Sequence, residues 1–570
     1  GVNRYNFLPT RVGGLHFSFH FRYYKIVRTE GMYRLLEILP GVLAWTTHFV
    51  VVVYFSIGYY FYEMHNSHLS KKVFYRMLEI IPGALAWLTL INVVLIAWRA
   101  PITASFFIIA FDLYWLLKTV FFSLHITASY RQMRENLKID WMARLRQLTT
   151  HNPQLTTIKG WQDLYHLVIL PAYREPYEVL KASLEAIKNS SWPQEQMIVV
   201  LGMEERGGEE DLEAARRIEE EYGAIFFKFL VTRHPVGLPG EIPGKGSNAT
   251  WAAKESQKVI DELGIPYERI IVSSLDSDTQ VYPEYFSLVT CRYLTEPDPL
   301  HASYQPIPVY HNNIWDAPAI SRVVATSDTF WQMVQQSRPE RLVSFSSHSM
   351  PFKSLVEVGF WHKDIVSEDS RIFWQCFLFY NGNWRAVPLY YPISMDANVA
   401  QTLLKTSFNI YRQHRRWTWG VENIPYLLYG FLQNKKISFR KKIFYTLDQV
   451  EGFWSLSTNA IVILLLGWLP PLIGKGEFST SVLAHNLPFI TQLLMTTAMI
   501  GLAFSAIISL YLLPTRPNKK PYYWKSWLLL EWLLIPITGT LFGAIPGLET
   551  QTRLMLGNKL GFWRTPKIRK

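Results

Sequence analysis

Apolar stretches of bilayer length occupy both ends of this sequence, and a region without any lies between them. Residues 42–62, 83–98 and 102–128 precede that middle region, and residues 456–473, 487–513 and 524–545 follow it. This distribution narrows the possible folds more than any other feature. Inside lipid no water satisfies backbone N–H and C=O groups, so a spanning segment must be a helix or part of a closed barrel. A crossing helix takes about 20 mostly apolar residues, which 83–98 reaches only if Ile80 and Ile81 join it. Hydrophobic residues make up 49% of the chain's 570 residues. The layout predicts an integral membrane protein of four regions: N-terminal membrane helices (1–129), a soluble domain (130–400), amphipathic interfacial helices (401–455), and C-terminal membrane helices with a basic tail (456–570).

The N-terminal region contains a duplication. Residues 33–45 (YRLLEILPGVLAW) are echoed by residues 75–87 (YRMLEIIPGALAW). Each copy reads as a short interfacial helix, a Pro-Gly break and an apolar span, and two copies do not make a solenoid. The second and third spans meet at the tight turn Arg99-Ala100-Pro101. Asp112, Lys118 and His125 are costly in lipid and are expected to face a neighbouring helix or a polar cavity. Much of the net charge of +12 lies in Arg412, Arg415, Arg416, Lys435, Lys436, Arg440, Lys441, Lys442, Lys519 and Lys520, close to apolar spans. Charge at the cytoplasmic face of a membrane accounts for it better than nucleic acid, so membrane lipids are expected partners and nucleic acid is not. The two cysteines, Cys291 and Cys376, both lie in the middle region. No disulfide framework follows, and the middle is expected in the cytoplasm. Three spans on each side would put both basic termini outside, against the positive-inside rule. The count closes if 42–62 lies in the interface and Pro536-Ile537 breaks the last span into a re-entrant pair.

In the middle, strand-like residues 166–170, 197–201 and 224–231 alternate with helical residues 177–188, 209–221 and 247–262. Such alternation predicts an α/β domain, a mostly parallel sheet with helices on both faces. The next strand, in residues 270–278 (IIVSSLDSD), is short, apolar and bounded by polar residues, so it reads as a buried central strand. Asp276 and Asp278 leave its C-terminal end, where ligands bind in open α/β sheets. Alternation along an extended backbone turns both to one side, so a single divalent ion can meet both. An Asp-x-Asp is also a common solvated turn. Its place after a buried strand singles this one out.

Four further motifs bracket that strand. The first strand ends in Leu170-Pro171-Ala172-Tyr173-Arg174-Glu175-Pro176, by itself a Pro-bounded turn into a helix. Residues 238–248 (LPGEIPGKGSN) form a Gly/Pro-rich loop opening a helix, with Lys245 and backbone N–H groups suited to phosphate but without Walker spacing. Ser367-Glu368-Asp369 precedes an amphipathic run, 371–380. The plain reading is Ser367 as N-cap with acids complementing the helix dipole; the functional one makes Asp369 a general base. Gln413-His414-Arg415-Arg416-Trp417 lies on a basic, aromatic stretch, 402–429, of interfacial character.

Singly each signal is weak; their order is specific. P-x-Y-x-E, G-K-x-x-N, D-x-D, E-D and Q-x-x-R-W, flanked by membrane spans, resemble the membrane-embedded family 2 glycosyltransferases, in particular the processive type of cellulose, chitin and hyaluronan synthases. The resemblance implies a GT-A-like (Rossmann-like) cytosolic domain flanked by transmembrane helices at both ends. It implies a metal-dependent, inverting, hexosyltransferase-type activity with Mg²⁺ or Mn²⁺ as cofactor. The donor would be a nucleotide sugar and the acceptor a growing polysaccharide or a lipid-linked glycan, with the protein in the inner or cell membrane. By the same resemblance, Tyr173 and Glu175 would line the base pocket, Lys245 and Asn248 would lie near the diphosphate, and Asp276 and Asp278 would touch nucleotide and metal. Asp369 would deprotonate the acceptor, and Gln413, Arg416 and Trp417 would close over diphosphate and acceptor. Two positions depart from the pattern. Arg174 stands where the family has Asn, and the second strand ends in Glu204 and Glu205 where Asp is usual, so one of these would contact the base or ribose. The alternative from another class is a nucleotide-sugar-sensing transporter or receptor without turnover, which would keep Asp276 and Asp278 and have no need of Asp369.

Overall fold

A computed structural model describes residues 68–148, 152–466, 468–474, 476–516 and 524–566. The span at 42–62, the first copy of the duplication, Lys519, Lys520 and the tail beyond Pro566 lie outside the described residues.

The middle region folds around one eight-stranded sheet in the order β3-β2-β1-β4-β7-β6-β8-β5. Its first half is the expected β-α-β alternation: β1 (Tyr165–Pro171), α3 (Tyr177–Lys188), β2 (Met197–Glu204), α4 (Glu209–Tyr222), β3 (Lys228–His234), α5 (Lys245–Glu262) and β4 (Ile270–Ser274). These four strands pair in parallel. The strand-like run 224–231 is corrected here. Gly223 N–H closes α4 on Glu219 O at 2.8 Å and Ile225 N–H turns back to Tyr222 O at 3.0 Å, so the strand begins only at Lys228. Alternate residues along β1 and β2 serve opposite faces. Val168, Leu170, Val199 and Leu201 pack under α3 and α4, whereas Leu167, Ile169, Ile198 and Val200 pack against Ala249, Ala252 and Ala253 of α5.

The second half departs from the expected mostly parallel sheet, which is mixed. β5 (Gln280–Val281), α6 (Tyr285–Thr295), β6 (Ala302–Val309), α7 (Ala319–Gln336), β7 (His348–Pro351), α8 (Glu368–Phe379) and β8 (Arg385–Ser394) follow. β7 runs antiparallel to both β4 and β6, β8 lies parallel to β6, and β5 is antiparallel to β8. The reversal of β7 matters for the site: Ser274, last in β4, pairs with His348, first in β7. The residues leading into β7 are thereby delivered to the C-terminal edge of β4.

Among the described residues, four helical segments are long and apolar enough to cross a membrane: Lys71–Arg99, Pro101–Asn136, Val482–Leu512 and Trp524–Leu556. The first belongs to α1 (His68–Arg99) and the second is α2 (Pro101–Asn136), joined at the expected turn. The Pro-Gly break of the second repeat copy does not form, because Pro82 lies inside α1. Gly83 instead permits close helix packing, since a Cβ there would stand 2.6 Å from Gln551 O. Asp112 and His125 are buried, His125 Nδ1 lies 2.8 Å from Ser337 Oγ, and Lys118 pairs with Glu451 at 3.6 Å.

After β8 come α9 (Leu403–Thr418), α10 (Asn423–Gln433), α11 (Phe439–Leu466) and α12 (Val482–Leu512). Residues 456–473 are not among the four candidate spans. α11 ends at Leu466, and its charged first half binds the soluble domain through Arg341 and Asp448 at 3.1 Å. Nor does Pro536 split the last span into a re-entrant pair. The chain stays helical from α13 (Trp524–Glu531) through a 3₁₀ turn (Trp532–Leu534), a short helical turn (Ile535–Thr538) and a π-turn (Gly539–Ala544) into α14 (Ile545–Leu556). Pro536 sits at the start of its helical piece, where its missing N–H costs little.

Candidate active site

The parallel strands β1, β2 and β4 end on one edge of the sheet, and the candidate residues gather there. Lys245, at the first position of α5, brings two of the acids together. Its Nζ lies 2.6 Å from Asp276 Oδ1 and 2.9 Å from Asp369 Oδ1. The Lys245 side chain is 12% exposed, and those of Asp276 and Asp369 are 23% and 21% exposed, so the cluster is largely buried with its carboxylates partly open to solvent. Burial lowers the Lys245 pKa, but the Asp276 and Asp369 carboxylates more than offset this and raise it. Burial pushes Asp369 upward, with Lys245 pulling it down and Asp276 adding to the rise. Its neighbour Glu368 is pushed up by burial and by the Asp369 charge.

The segment Ser344–Ser347, for which the sequence carries no signal, holds this cluster in register. Ser346 Oγ donates to Asp276 Oδ2 at 2.5 Å, Asp276 N–H donates to Ser347 Oγ at 3.0 Å, and Ser344 Oγ donates to Asp369 O at 2.6 Å. Gln305 fixes the segment from β6, accepting from Phe345 N–H at 2.9 Å and donating to Phe345 O at 3.0 Å. Ser346 has φ +52°, a left-handed conformation that Gly, Asn and Asp adopt more readily. A run of serines carries no signal for that turn.

Asp278, on the same edge, is held by other partners. Its Oδ2 accepts from Asp396 N–H at 3.1 Å, and Asn312 Nδ2 bridges Asp278 O and Asp396 Oδ1, each at 2.8 Å. Among the described residues no three His, Cys, Asp or Glu side chains converge to hold a metal ion. The donor set nevertheless suits a hard divalent cation: Asp276 and Asp278 offer oxygen only, and Mg²⁺-type sites commonly complete such carboxylates with substrate phosphate and water.

Asn248 is turned into the sheet rather than towards the ion pairs. Its Nδ2 donates to Gly202 O at 2.7 Å, tying α5 to β2. Glu204 is buried and pairs with Arg206, whose Nη2 lies 3.0 Å from Glu204 Oε1 and whose guanidinium sits 3.9 Å over the Tyr173 ring. Glu205 instead accepts from Val236 N–H at 2.9 Å. Arg174, like Ser346, has φ +52°, and its N–H donates to Asp211 Oδ2 at 2.9 Å.

α9 carries Gln413, Arg416 and Trp417, which share one helix face by their spacing, and the contacts to the site are made by Arg416 and Trp417. Arg416 lowers the pKa of Asp369 through its charge, and Trp417 meets Phe345 edge-on at 5.8 Å. Beyond α14 the chain returns over the site. Phe562 stands under the Arg416 guanidinium at 5.0 Å and against Gly244, where a Cβ would meet its ring at 3.0 Å. Arg564 Nη1 donates to Tyr173 O at 3.1 Å and also to Arg174 O, and lies 3.9 Å from Glu175 Oε2. In the sequence this segment registers only as a basic tail. The structure thus joins Lys245, Asp276 and Asp369 directly, sets Arg416 and Trp417 beside them, and links Tyr173, Glu175 and Glu204 in a second group through Arg206 and Arg564.

Three solved structures illustrate the likeness found by comparison. The mannosyltransferase PcManGT from Pyrobaculum calidifontis, in complex with GDP-Man and Mn2+, is 13% identical; the overlap covers 69% of this chain and 99% of that one, with TM-score 0.35. S. aureus TarS 1-349 in complex with UDP-GlcNAc is 13% identical over 61% of this chain and 91% of that one, with TM-score 0.33. GalNAc-T7 with UDP, GalNAc and Mn2+ is 9% identical over 52% and 58%, with TM-score 0.31. Overlaps this loose carry no argument about this chain. A search of curated proteins found no match. Residues 271–517, which run from β4 through the Ser344–Ser347 segment, Asp369 and α9 into the C-terminal helices, match the family described as Glycosyl transferase family group 2.

Proposed function

We infer that this protein is a membrane glycosyltransferase of family 2, with a GT-A-like catalytic domain on the cytoplasmic side of an inner or cell membrane. It transfers a sugar from a nucleotide-sugar donor to a growing polysaccharide or a lipid-linked glycan, with inversion. The observation that carries this reading is the Lys245 ammonium between Asp276 and Asp369, with Arg416 and Trp417 alongside. The family match across residues 271–517 supports it.

The chemistry follows from the charges. The acceptor hydroxyl gives its proton to the Asp369 carboxylate while its oxygen bonds to the donor's anomeric carbon. The bond from that carbon to the diphosphate oxygen breaks, and its electron pair leaves with the nucleoside diphosphate. Lys245 and Arg416 are placed to stabilise that departing charge. In the structure Lys245 pairs with both carboxylates. Exchange of its ammonium to the diphosphate frees Asp369 to act as base. A divalent cation, held by Asp276 and Asp278, would add Lewis-acid charge at the diphosphate.

A panel of nucleotide sugars given to the detergent-purified protein, with nucleoside diphosphate release followed with and without Mn²⁺, tests the reading. Release that depends on acceptor and metal is expected. Binding of a nucleotide sugar without release under any condition would favour a sensing receptor or transporter instead.

A further inference from the structure

The helix that carries Asp369 is locked to the segment that follows Trp417 by a set of buried hydrogen bonds. Ser367 precedes α8 in the position of an N-cap, yet its side chain makes no capping bond. Its Oγ donates across to Glu422 Oε1 at 2.6 Å. Glu422 belongs to the 3₁₀ turn Trp419–Glu422 that continues directly from α9, and its Oε2 accepts from Trp419 Nε1 at 2.9 Å. One turn along α8, Arg371 Nε donates to Asn423 Oδ1 at 2.6 Å and Nη2 to Glu422 O at 3.2 Å. Its guanidinium lies 4.0 Å over the Tyr426 ring. Asn423 Nδ2 closes the set on Ser370 Oγ at 2.9 Å. Arg371, Trp419 and Asn423 are each at most 4% exposed.

The placement is economical in chemical terms. A capping serine usually serves the N–H groups of its own helix. Here that bond is absent, and the hydroxyl serves a charged acceptor on another element, the stronger kind of hydrogen bond. The contact sits two residues from Asp369 on one side and five from Trp417 on the other. Apolar packing reinforces it: Val366, Trp419, Val421 and Ile424 share a cluster with Leu78 of α1 and Leu554 of α14. The base and the aromatic platform are therefore held as one unit against the candidate membrane helices.

We propose that Glu422 is a positioning residue for glycosyl transfer. Through Ser367 and Trp419 it fixes the distance and direction between Asp369 and the Trp417 ring, so that an acceptor resting on the ring is deprotonated by Asp369. The proposal rests on the reading of Asp369 as general base. Donor binding draws on other residues, Tyr173, Lys245 and Asp276 among them, and Glu422 leaves it unchanged.

A double-mutant cycle tests this on the full-length protein, with transfer rate and donor affinity measured on the same preparations. Glu422→Ala should lower kcat by about 10- to 100-fold, the scale of misplacing a reacting group by about 1 Å, with donor affinity as in the wild type. Glu422→Gln keeps an acceptor for the Trp419 N–H and a partner for the Ser367 hydroxyl, and should restore most of the rate. Ser367→Ala, which removes one hydroxyl only, guards against misfolding and should lower kcat by about 10-fold. Asp369→Asn alone should lose about 10²–10⁴-fold. Asp369→Asn combined with Glu422→Ala should lose no more than Asp369→Asn does, because Glu422 acts through a base already removed. Full additivity in the double variant, an equal loss in Glu422→Gln and Glu422→Ala, or a parallel loss of donor affinity overturns the positioning role. Near wild-type transfer by Asp369→Asn overturns the general-base reading itself, and the positioning role with it.

Discussion

Lys245→Met is the perturbation on which the two states of the site diverge most. In the ligand-free protein the ammonium lies within 3 Å of carboxylate oxygens of both Asp276 and Asp369. Removing one member of a fully buried pair typically costs about 3–5 kcal/mol, because a charge is left unpaired away from water. Here both carboxylates keep about a fifth of their surface, and Asp369 already has a raised pKa, so water and protonation absorb part of the loss. The expected destabilisation is about 1–3 kcal/mol. Methionine preserves the length of the chain and so isolates the charge. The variant should melt below the wild type in chelator. Mn²⁺ without donor should recover part of the difference, since Asp276, released from its internal cation, is a better ligand beside Asp278 for an external one. Thermal unfolding in detergent, with and without Mn²⁺ at constant ionic strength, reads both effects. A variant as stable as the wild type in chelator, or one that responds to Mn²⁺ no more than the wild type does, would refute the view that Lys245 holds these two carboxylates together.

Transfer activity should vanish in excess chelator and return with Mg²⁺ or Mn²⁺, and Asp278→Ala should weaken donor binding as well as turnover; full activity in chelator would remove the metal from the account. Glu204→Gln should loosen Arg206 from the Tyr173 ring and raise the donor KM, whereas Glu205→Gln, whose acid serves only the loop at Val236 among the bonds seen, should leave it unchanged; steady-state kinetics on both variants decides. Arg564→Ala frees the Tyr173 and Arg174 carbonyls and should also raise the donor KM, with an unchanged KM arguing that the returning chain only covers the site. The pH dependence has a definite sign. Asp369 and Glu368 are raised on folding, toward about 6 and about 8, so the folded state holds protons that the unfolded chain has already released. The stability these two groups contribute should be fully present below the ordinary carboxylate range and be lost as pH rises from there through about 8, so the wild type should lose melting temperature relative to the Glu368→Gln/Asp369→Asn variant across that window, and a gain would contradict it.

How far the sequence anticipates this arrangement depends on the kind of signal each part leaves. The β-α-β half of the sheet is legible because buried parallel strands are short apolar runs and the intervening helices are amphipathic. Residues 177–188 match the observed helix to the residue. Residues 270–278 are legible for the same reason, with acids at the end of a buried strand. The mixed half is not, since β7 is only four residues long and polar, His348–Pro351, and its reversed direction depends on long-range pairing with β4. That reversal in turn hides Ser344–Ser347, which reach Asp276 and Asp369 only because β7 begins beside the end of β4. Phe562 and Arg564 are hidden by distance along the chain, lying nearly 400 residues from Tyr173. Asp369 could be read two ways, as helix-dipole acid or as base. In the structure Ser367 makes no cap and the Asp369 carboxylate is turned to Lys245; its role as base is the reading proposed above. Pro82 misled because a proline inside a helix usually marks a boundary, whereas in α1 packing against α14 carries the helix through it.

The central claim is that Asp369 activates an acceptor for direct displacement of the nucleoside diphosphate. The stereochemistry of the first-formed product tests it most directly. Proton NMR of product made from a donor of known anomeric configuration, once the panel has identified one, should show the opposite configuration at the transferred sugar. Retention of the donor's configuration, or nucleoside diphosphate release with water as the sole acceptor, would contradict the account.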